Sequence, residues 1–202
     1  MNEAGEITYL PAEFVKDNVL SVGFPLPCVG LRIVNEEGMD VPRGTEGEVV
    51  IRGPQLFSMY YKQPEATREC LLAGGWFCTG DLGKIDEKGF LYLVDRKKDM
   101  VKTGGENVYG PEVENVLSTH PAVLECAMFG VPDPKWGEAV VAAVVVKPGM
   151  QTSEKELIDF CRERLAHYKC PRNIVFVDSL PRNPYGKVLK RVLREQYKDL
   201  RK

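Results

Sequence analysis

Through the first half of the chain, apolar positions come in short bursts separated by turn-forming residues. Residues 29–34 and 47–52 are β-rich runs, and Asn35-Glu36-Glu37-Gly38 and Pro42-Arg43-Gly44 between them carry turn chemistry. Residues 82–85 and 90–94 flank Asp86-Glu87-Lys88-Gly89, a hairpin signal. One helix is predicted at 64–72, with Pro64 suited to its first turn. This spacing predicts a small β subdomain, barrel-like or sandwich-like.

After Val94 the pattern changes. Asp95-Arg96-Lys97-Lys98-Asp99 has no apolar member and reads as a linker, because a buried segment could not leave so many charges unpaired. Beyond it, helical and extended patterns alternate. Val113, Val116 and Leu117 share one face of a helix at 111–119 that Pro121 stops. Residues 123–131 and 174–177 read as strands, and 139–146 is apolar throughout, as in a central strand covered on both faces. Ser153 and Glu156 form a capping-box pattern ahead of a stripe of Leu157, Ile158, Cys161 and Leu165. A last helix is predicted at 188–200. The fold class is therefore α+β. Residues 1–97 form the β-rich part, and 98–202 a compact unit of about 100 residues with a small sheet flanked by helices.

Composition narrows the function classes. The chain has 202 residues with a formal net charge of -2, which argues against nucleic-acid binding as its main task. The basic residues Lys190, Arg191, Arg194, Lys198, Arg201 and Lys202 are interrupted by Glu195 and Asp199 and read as a solvated helix face. No apolar run is long enough for a membrane span and no signal pattern opens the chain. The six cysteines include no C-x-x-C pair and read as small buried hydrophobes. His120 and His167 are not spaced as a metal cluster would be. A cytoplasmic location is expected.

Four polar, glycine-bearing stretches carry candidate chemistry. In Gly74-Gly75-Trp76-Phe77-Cys78-Thr79-Gly80-Asp81, an aspartate beside glycines either accepts hydrogen bonds from a ribose diol or caps a tight turn. The run from Asp95 to Glu114 reads as a charged hinge, a short strand, a glycine turn at Gly104-Gly105 and a helix start. In Pro132-Asp133-Pro134-Lys135-Trp136-Gly137-Glu138, Trp136 is either a core lid or a ligand contact. In Pro181-Arg182-Asn183-Pro184-Tyr185-Gly186-Lys187, a lysine at the tip of a Pro/Gly turn can carry a point charge into a cleft, or be an ordinary exposed lysine. It is not a P-loop, since Val188 stands where a Ser or Thr would bind magnesium.

Taken together and in order, these stretches resemble the C-terminal portion of the AMP-forming acid:CoA ligases of the acyl-adenylating superfamily. The first resembles W-x-x-T-G-D, the second the family's hinge and the loop after it, the third G-x-P-D-x-x-x-G-E, and the fourth P-K/R-T/N-x-x-G-K. Asp95 replaces the usual Gly, and Tyr185 a usually small residue. The resemblance implies that Asp81 and Arg96 bind the ribose of ATP and AMP, that Lys98 is the hinge, and that Lys187 is the catalytic lysine of adenylation. It implies that Gly104, Gly105 and Glu106 form the thioester-forming face beside the pantetheine channel. Trp136, Tyr168 and Arg172 would contact CoA, with Lys169 beside them. Glu3 would help hold Mg2+, although Asn2 stands where Thr is usual. The implied substrates are ATP, CoA and a carboxylic acid, with a fatty acid preferred over an aromatic one. The chain would work with a larger N-terminal domain and be inactive alone. Lys187 would also be open to a protein acetyltransferase. Loading of a carrier-protein pantetheine, or a non-catalytic module of the same fold, are the competing readings.

Overall fold

The computed structural model describes residues 2–201, which divide into two compact units, the first ending at Lys98 and the second beginning at Asp99. Among the described residues, no helix is long and apolar enough to cross a membrane.

The first unit contains a two-stranded sheet, β1 (Thr8–Tyr9) with β2 (Phe24–Pro25), around a single helical turn, α1 (Ala12–Val15). Its main sheet is antiparallel and comprises β3 (Gly30–Val34), β4 (Gly47–Arg52), β5 (Leu71–Leu72), β6 (Trp76–Ile85) and β7 (Leu91–Arg96). The order is β3-β4-β6, and β5 and β7 share the far edge of β6. This sheet is open. A barrel requires every strand to pair on both sides, whereas β3 ends the sheet on one side and β5, only two residues long, ends it on the other. The expected barrel-like form is thus replaced by a sheet packed on one core of Val29, Ile33, Val49, Ile51, Phe77 and Leu91.

The helix predicted at 64–72 is shorter, α2 (Pro64–Glu69). Cys70 leaves helical geometry at φ -95°, and Leu71 and Leu72 then pair with Phe77 and Trp76 across a loop in which Gly74 and Gly75 hold positive φ. Long-range strand pairing outweighs the local helical preference there. The charged run after Val94 is not a free connector either. β7 extends to Arg96, and Arg96 and Lys97 each meet an acidic partner, Asp81 and Glu48.

The second unit is built on β8 (Val101–Thr103), β9 (Glu106–Val108), β10 (Val123–Asp133), β11 (Gly137–Val146) and β12 (Asn173–Phe176). Its helices are α3 (Gly110–Ser118), α4 (Glu154–Arg162) and α5 (Lys190–Gln196). The long hairpin β10–β11 is its spine. β12 joins β11 in parallel and β8 joins it antiparallel at Gly137↔Thr103. Alternation along β11 supplies two cores. Val140, Ala142 and Val144 pack with Val113 and Leu117 of α3 and Leu157 and Cys161 of α4. Ala139, Val141, Ala143 and Val145 pack with Phe129, Leu180 and Leu193 of α5. Both faces of the strand are covered, which is why residues 139–146 carry no polar side chain. Ser153 caps α4 by accepting the Glu156 N–H at 3.2 Å.

Two expectations change in this unit. The final helix ends at Gln196, and the basic tail is solvated only in part: Arg191 and Lys198 are exposed, three others pair with distant acids, and Lys202 lies outside the described residues. Lys190 pairs with Glu114 of α3 at 2.8 Å, Arg194 with Asp99 ahead of β8 at 3.0 Å and Arg201 with Asp133 of β10 at 3.0 Å. Of the cysteines, Cys161 and Cys170 are buried, Cys28 is exposed and the rest are half-buried; all six are free thiols.

Candidate active site

In the first unit, Asp81 lies within β6 rather than at a strand start, directly opposite Arg96 of β7. The two side chains form an ion pair of 3.1 Å. The approach to Asp81 is built by Thr79 and Gly80. Thr79 Oγ1 donates to the Val49 carbonyl at 2.8 Å and accepts the Asp81 N–H at 3.1 Å. Gly80 takes φ +70°, a left-handed conformation that disfavours a side chain. The Glu48 carboxylate, one-tenth exposed, accepts the Gly80 N–H at 3.3 Å and the Lys97 ammonium at 2.7 Å, while Lys97 N–H donates to the Gly80 carbonyl at 2.9 Å. Glu48 therefore ties the glycine beside Asp81 to the residue before Lys98. Lys98 itself is exposed, and the two units divide immediately after it.

Glu3 and Arg96 line one open cavity of about 600 Å³, together with Glu48, Tyr60, Thr79 and Gly80. Glu3 Oε1 accepts the Tyr60 hydroxyl at 3.1 Å, and burial, then this hydrogen bond, push the Tyr60 pKa up. Of the acids in that cavity, Glu48 is committed to Gly80 and Lys97, while Glu3 offers hard oxygen donors, a ligand type that suits magnesium.

In the second unit the sequence-singled residues form two groups. Gly104 and Gly105 make the two-residue turn between β8 and β9, at φ +60° and +88°, the geometry of a type I′ hairpin. Trp136 closes over this turn. Its carbonyl accepts the Gly104 N–H at 2.9 Å, and a Cβ on Gly104 would lie 2.8 Å from its ring. The Arg172 guanidinium stands 4.9 Å from the Trp136 ring centre and the Lys135 ammonium 4.7 Å from it. Glu106 opens β9, and a 3-10 turn, His167–Lys169, carries the half-exposed Tyr168. Lys169 is committed elsewhere: both oxygens of Glu112 hold its ammonium, at 2.7 and 2.8 Å. Cys170 is buried with its thiol toward the Leu165 and Ala166 carbonyls.

Lys187 is exposed on a separate loop, and among the described residues no carboxylate pairs with it. The loop is held by its own hydrogen bonds. Asn183 Oδ1 accepts the N–H groups of Tyr185 (3.0 Å) and Lys187 (2.9 Å), Asn183 N–H donates to the Lys187 carbonyl (2.9 Å), and Gly186 takes φ +82°. Arg182 donates to the Gly186 carbonyl at 2.6 Å and pairs with Glu125 of β10. The buried residues on either side of the loop, Leu180 and Leu193, belong to one core of the unit, whereas Val101 and Val108 of the glycine hairpin belong to the other.

The family model for the AMP-binding enzyme C-terminal domain matches residues 112–187, and that for the AMP-binding enzyme matches residues 1–61. The chain belongs to the AMP-binding enzyme family. It is 44% identical, over 98% of its length, to a 2-succinylbenzoate–CoA ligase of Bacillus cereus, and covers 40% of that protein. Over 75% of its length it is 51% identical to the long-chain-fatty-acid–CoA ligase FadD13 of Mycobacterium tuberculosis, covering 30% of that protein. Among solved structures, ATP-bound MatB from Rhodopseudomonas palustris superposes on the whole chain with a TM-score of 0.91 at 42% identity; the chain covers 40% of it. The chain thus spans two fifths or less of the length of these relatives.

Within this member of the AMP-binding enzyme family, sequence reasoning missed Glu48, Asn183 and Asp133. Glu48 had a signal, an acid inside the otherwise apolar strand 47–51. Asn183 had one too, since an Asn two residues ahead of a turn commonly accepts backbone N–H groups.

Proposed function

We propose that the protein carrying this chain is an AMP-forming acid:CoA ligase. In the first half-reaction a carboxylate oxygen attacks the α-phosphorus of ATP and pyrophosphate leaves, giving acyl-AMP. Asp81 and Arg96 hold the ribose, and the Lys187 ammonium stabilises negative charge that grows on the oxygens around phosphorus. Glu3 would help hold magnesium, which would supply charge neutralisation at the phosphates. In the second half-reaction the CoA sulfur attacks the acyl carbon and AMP leaves. Gly104, Gly105 and Glu106 border the thiol's path, with Trp136, Tyr168 and Arg172 contacting CoA. The second unit turns about Lys98 between the two steps, a hinge-type switch.

One observation carries this reading. The buried residues flanking the Lys187 loop, Leu180 and Leu193, belong to the core on one face of β11, whereas the glycine hairpin extends the sheet at the edge of β11 and sends Val101 and Val108 into the core on the other face. A single small unit therefore has two separately built faces, as two consecutive chemistries require. The exposure of Lys187 also leaves it open to an acetyltransferase, and acetylation would remove the charge that adenylation uses.

The proposed acid is a fatty acid, on the 51% identity to FadD13; the 2-succinylbenzoate ligase, 44% identical, supplies the rival substrate. The test is a panel of fatty and aromatic acids with ATP, Mg2+ and CoA, using the complete enzyme and following AMP, pyrophosphate and thioester together. Stoichiometric AMP and acyl-CoA with a fatty acid support the reading. Release of ADP, or acylation of a carrier protein but not of CoA, overturns it.

A further inference from the structure

The two strongest features of the proposed CoA face come from segments distant in sequence, Trp136 in the β10–β11 turn and Arg172 just ahead of β12. Arg201, from the tail that composition alone assigns to solvent, holds both segments. Its Nε donates to Asp133 Oδ2 at 3.0 Å and its Nη1 to Asn173 Oδ1 at 3.3 Å. The Asp133 side chain is only 2% exposed, and its second oxygen accepts the N–H groups of Lys135 (2.9 Å) and Trp136 (3.0 Å). Asn173 adjoins Arg172, and its amide donates to Glu154 at 3.2 Å. One guanidinium therefore braces the turn that carries the indole against the strand start that carries the facing cation. A planar fork of donors reaches two acceptors at fixed angles, which an ammonium on a flexible stem does not reproduce.

We propose that Arg201 is a positioning residue for the CoA face: by bracing Asp133 against Asn173 it fixes Trp136 relative to Arg172, and so sets affinity for the thiol acceptor while leaving adenylation alone. This rests on the reading of that face as the CoA site. Arg201 acts through the indole, so its effect reaches the pantetheine arm beside Gly104 as well as the nucleotide end of CoA.

The test has two parts. In the complete enzyme, Arg201→Gln and Arg201→Lys each raise the KM for CoA roughly tenfold, the size of one lost positioning contact. ATP–pyrophosphate exchange stays within about twofold of the parent, since Arg201 touches none of the adenylation residues. The KM for pantetheine rises by the same factor. Full retention by Arg201→Lys, or an unchanged KM for pantetheine, would mean that the guanidinium contacts a CoA phosphate directly, and would overturn the brace. In the 202-residue chain with Trp76→Phe, Trp136 is the sole tryptophan. There Arg201→Gln shifts its emission to the red and increases acrylamide quenching, and Asp133→Asn adds nothing further. Unchanged emission overturns the brace whatever the enzyme assay gives. A parent enzyme without pyrophosphate exchange would sink the ligase reading instead, leaving the fluorescence result to decide the brace.

Discussion

Replacement of Gly104 by alanine tests how the glycine hairpin and Trp136 depend on each other. Two costs are separable because the neighbouring Gly105 supplies a control. Gly104 sits at φ +60° and Gly105 at +88°, so an alanine at either position takes a left-handed conformation, at about 1–2 kcal/mol. Around Gly105 a new Cβ meets nothing within 4 Å, whereas at Gly104 it falls 2.8 Å from Trp136 Cε3 and 3.2 Å from Cζ3. The indole must move, and a forced shift in a packed contact costs about 1–3 kcal/mol more. Gly104→Ala is therefore predicted to destabilise by about 2–5 kcal/mol and Gly105→Ala by about 1–2 kcal/mol. Urea unfolding of the chain, followed by circular dichroism and by tryptophan emission, gives both values. In the complete enzyme, Gly104→Ala also slows thioester formation more than Gly105→Ala does. Equal destabilisation by the two variants, or greater loss at Gly105, would refute the claim that Trp136 is seated on Gly104.

Other consequences can be checked independently. The hydrogen bond to Glu48 raises the Lys97 pKa above 10.5, against the downward pull of burial. A base raised on folding stabilises the fold below its unfolded pKa and loses that contribution as pH rises through the folded one. Lys97→Met should therefore lower stability by about 0.2–1 kcal/mol at pH 7, the range of a half-exposed pair, with the gap closing as pH rises through the raised lysine pKa; a gap that persists at alkaline pH contradicts the pairing. Burial pushes the Cys126 and Cys161 thiols up to about 12. Ellman's reagent at neutral pH should label exposed Cys28 first and reach those two only in denaturant, and fast labelling of either would contradict the packing. Removing the Asn183 acceptor in Asn183→Ala frees two backbone N–H groups of the lysine loop, and pyrophosphate exchange should fall about tenfold if one such contact is what holds Lys187 in place. Asn183→Asp should restore most of it; an Asn183→Ala enzyme with parental exchange would show that the loop needs no such anchor.

Much of the second unit was legible in the sequence because its signals are local and redundant. The unbroken apolar run 139–146 announced a strand covered on both faces, Ser153 announced its helix cap, and Gly104-Gly105 announced a turn, although the strand β9 that completes the hairpin went unread. The first unit was less legible where pairing across sequence decides the outcome. Leu71 and Leu72 continue a helical pattern, yet β6 captures them as a strand. The charged stretch after Val94 looked solvated because its acidic partners, Asp81 and Glu48, lie 15 and 49 residues away along the chain. The same reason hid the tail: nothing local tells that Arg201 reaches Asp133, 68 residues earlier. Charge runs disclose their composition, but whether they are solvated depends on partners that only the fold supplies.

The central claim is that one lysine serves one half-reaction. It is tested most directly by Lys187→Ala in the complete enzyme, with the two steps assayed apart: ATP–pyrophosphate exchange for adenylation, and acyl-CoA formation from supplied acyl-AMP for the second step. Loss of a single charge-stabilising donor predicts a fall of about 10²–10³-fold in exchange, with thioester formation changed by no more than a few-fold. Equal loss in both steps, or exchange at the parental rate, would contradict the account.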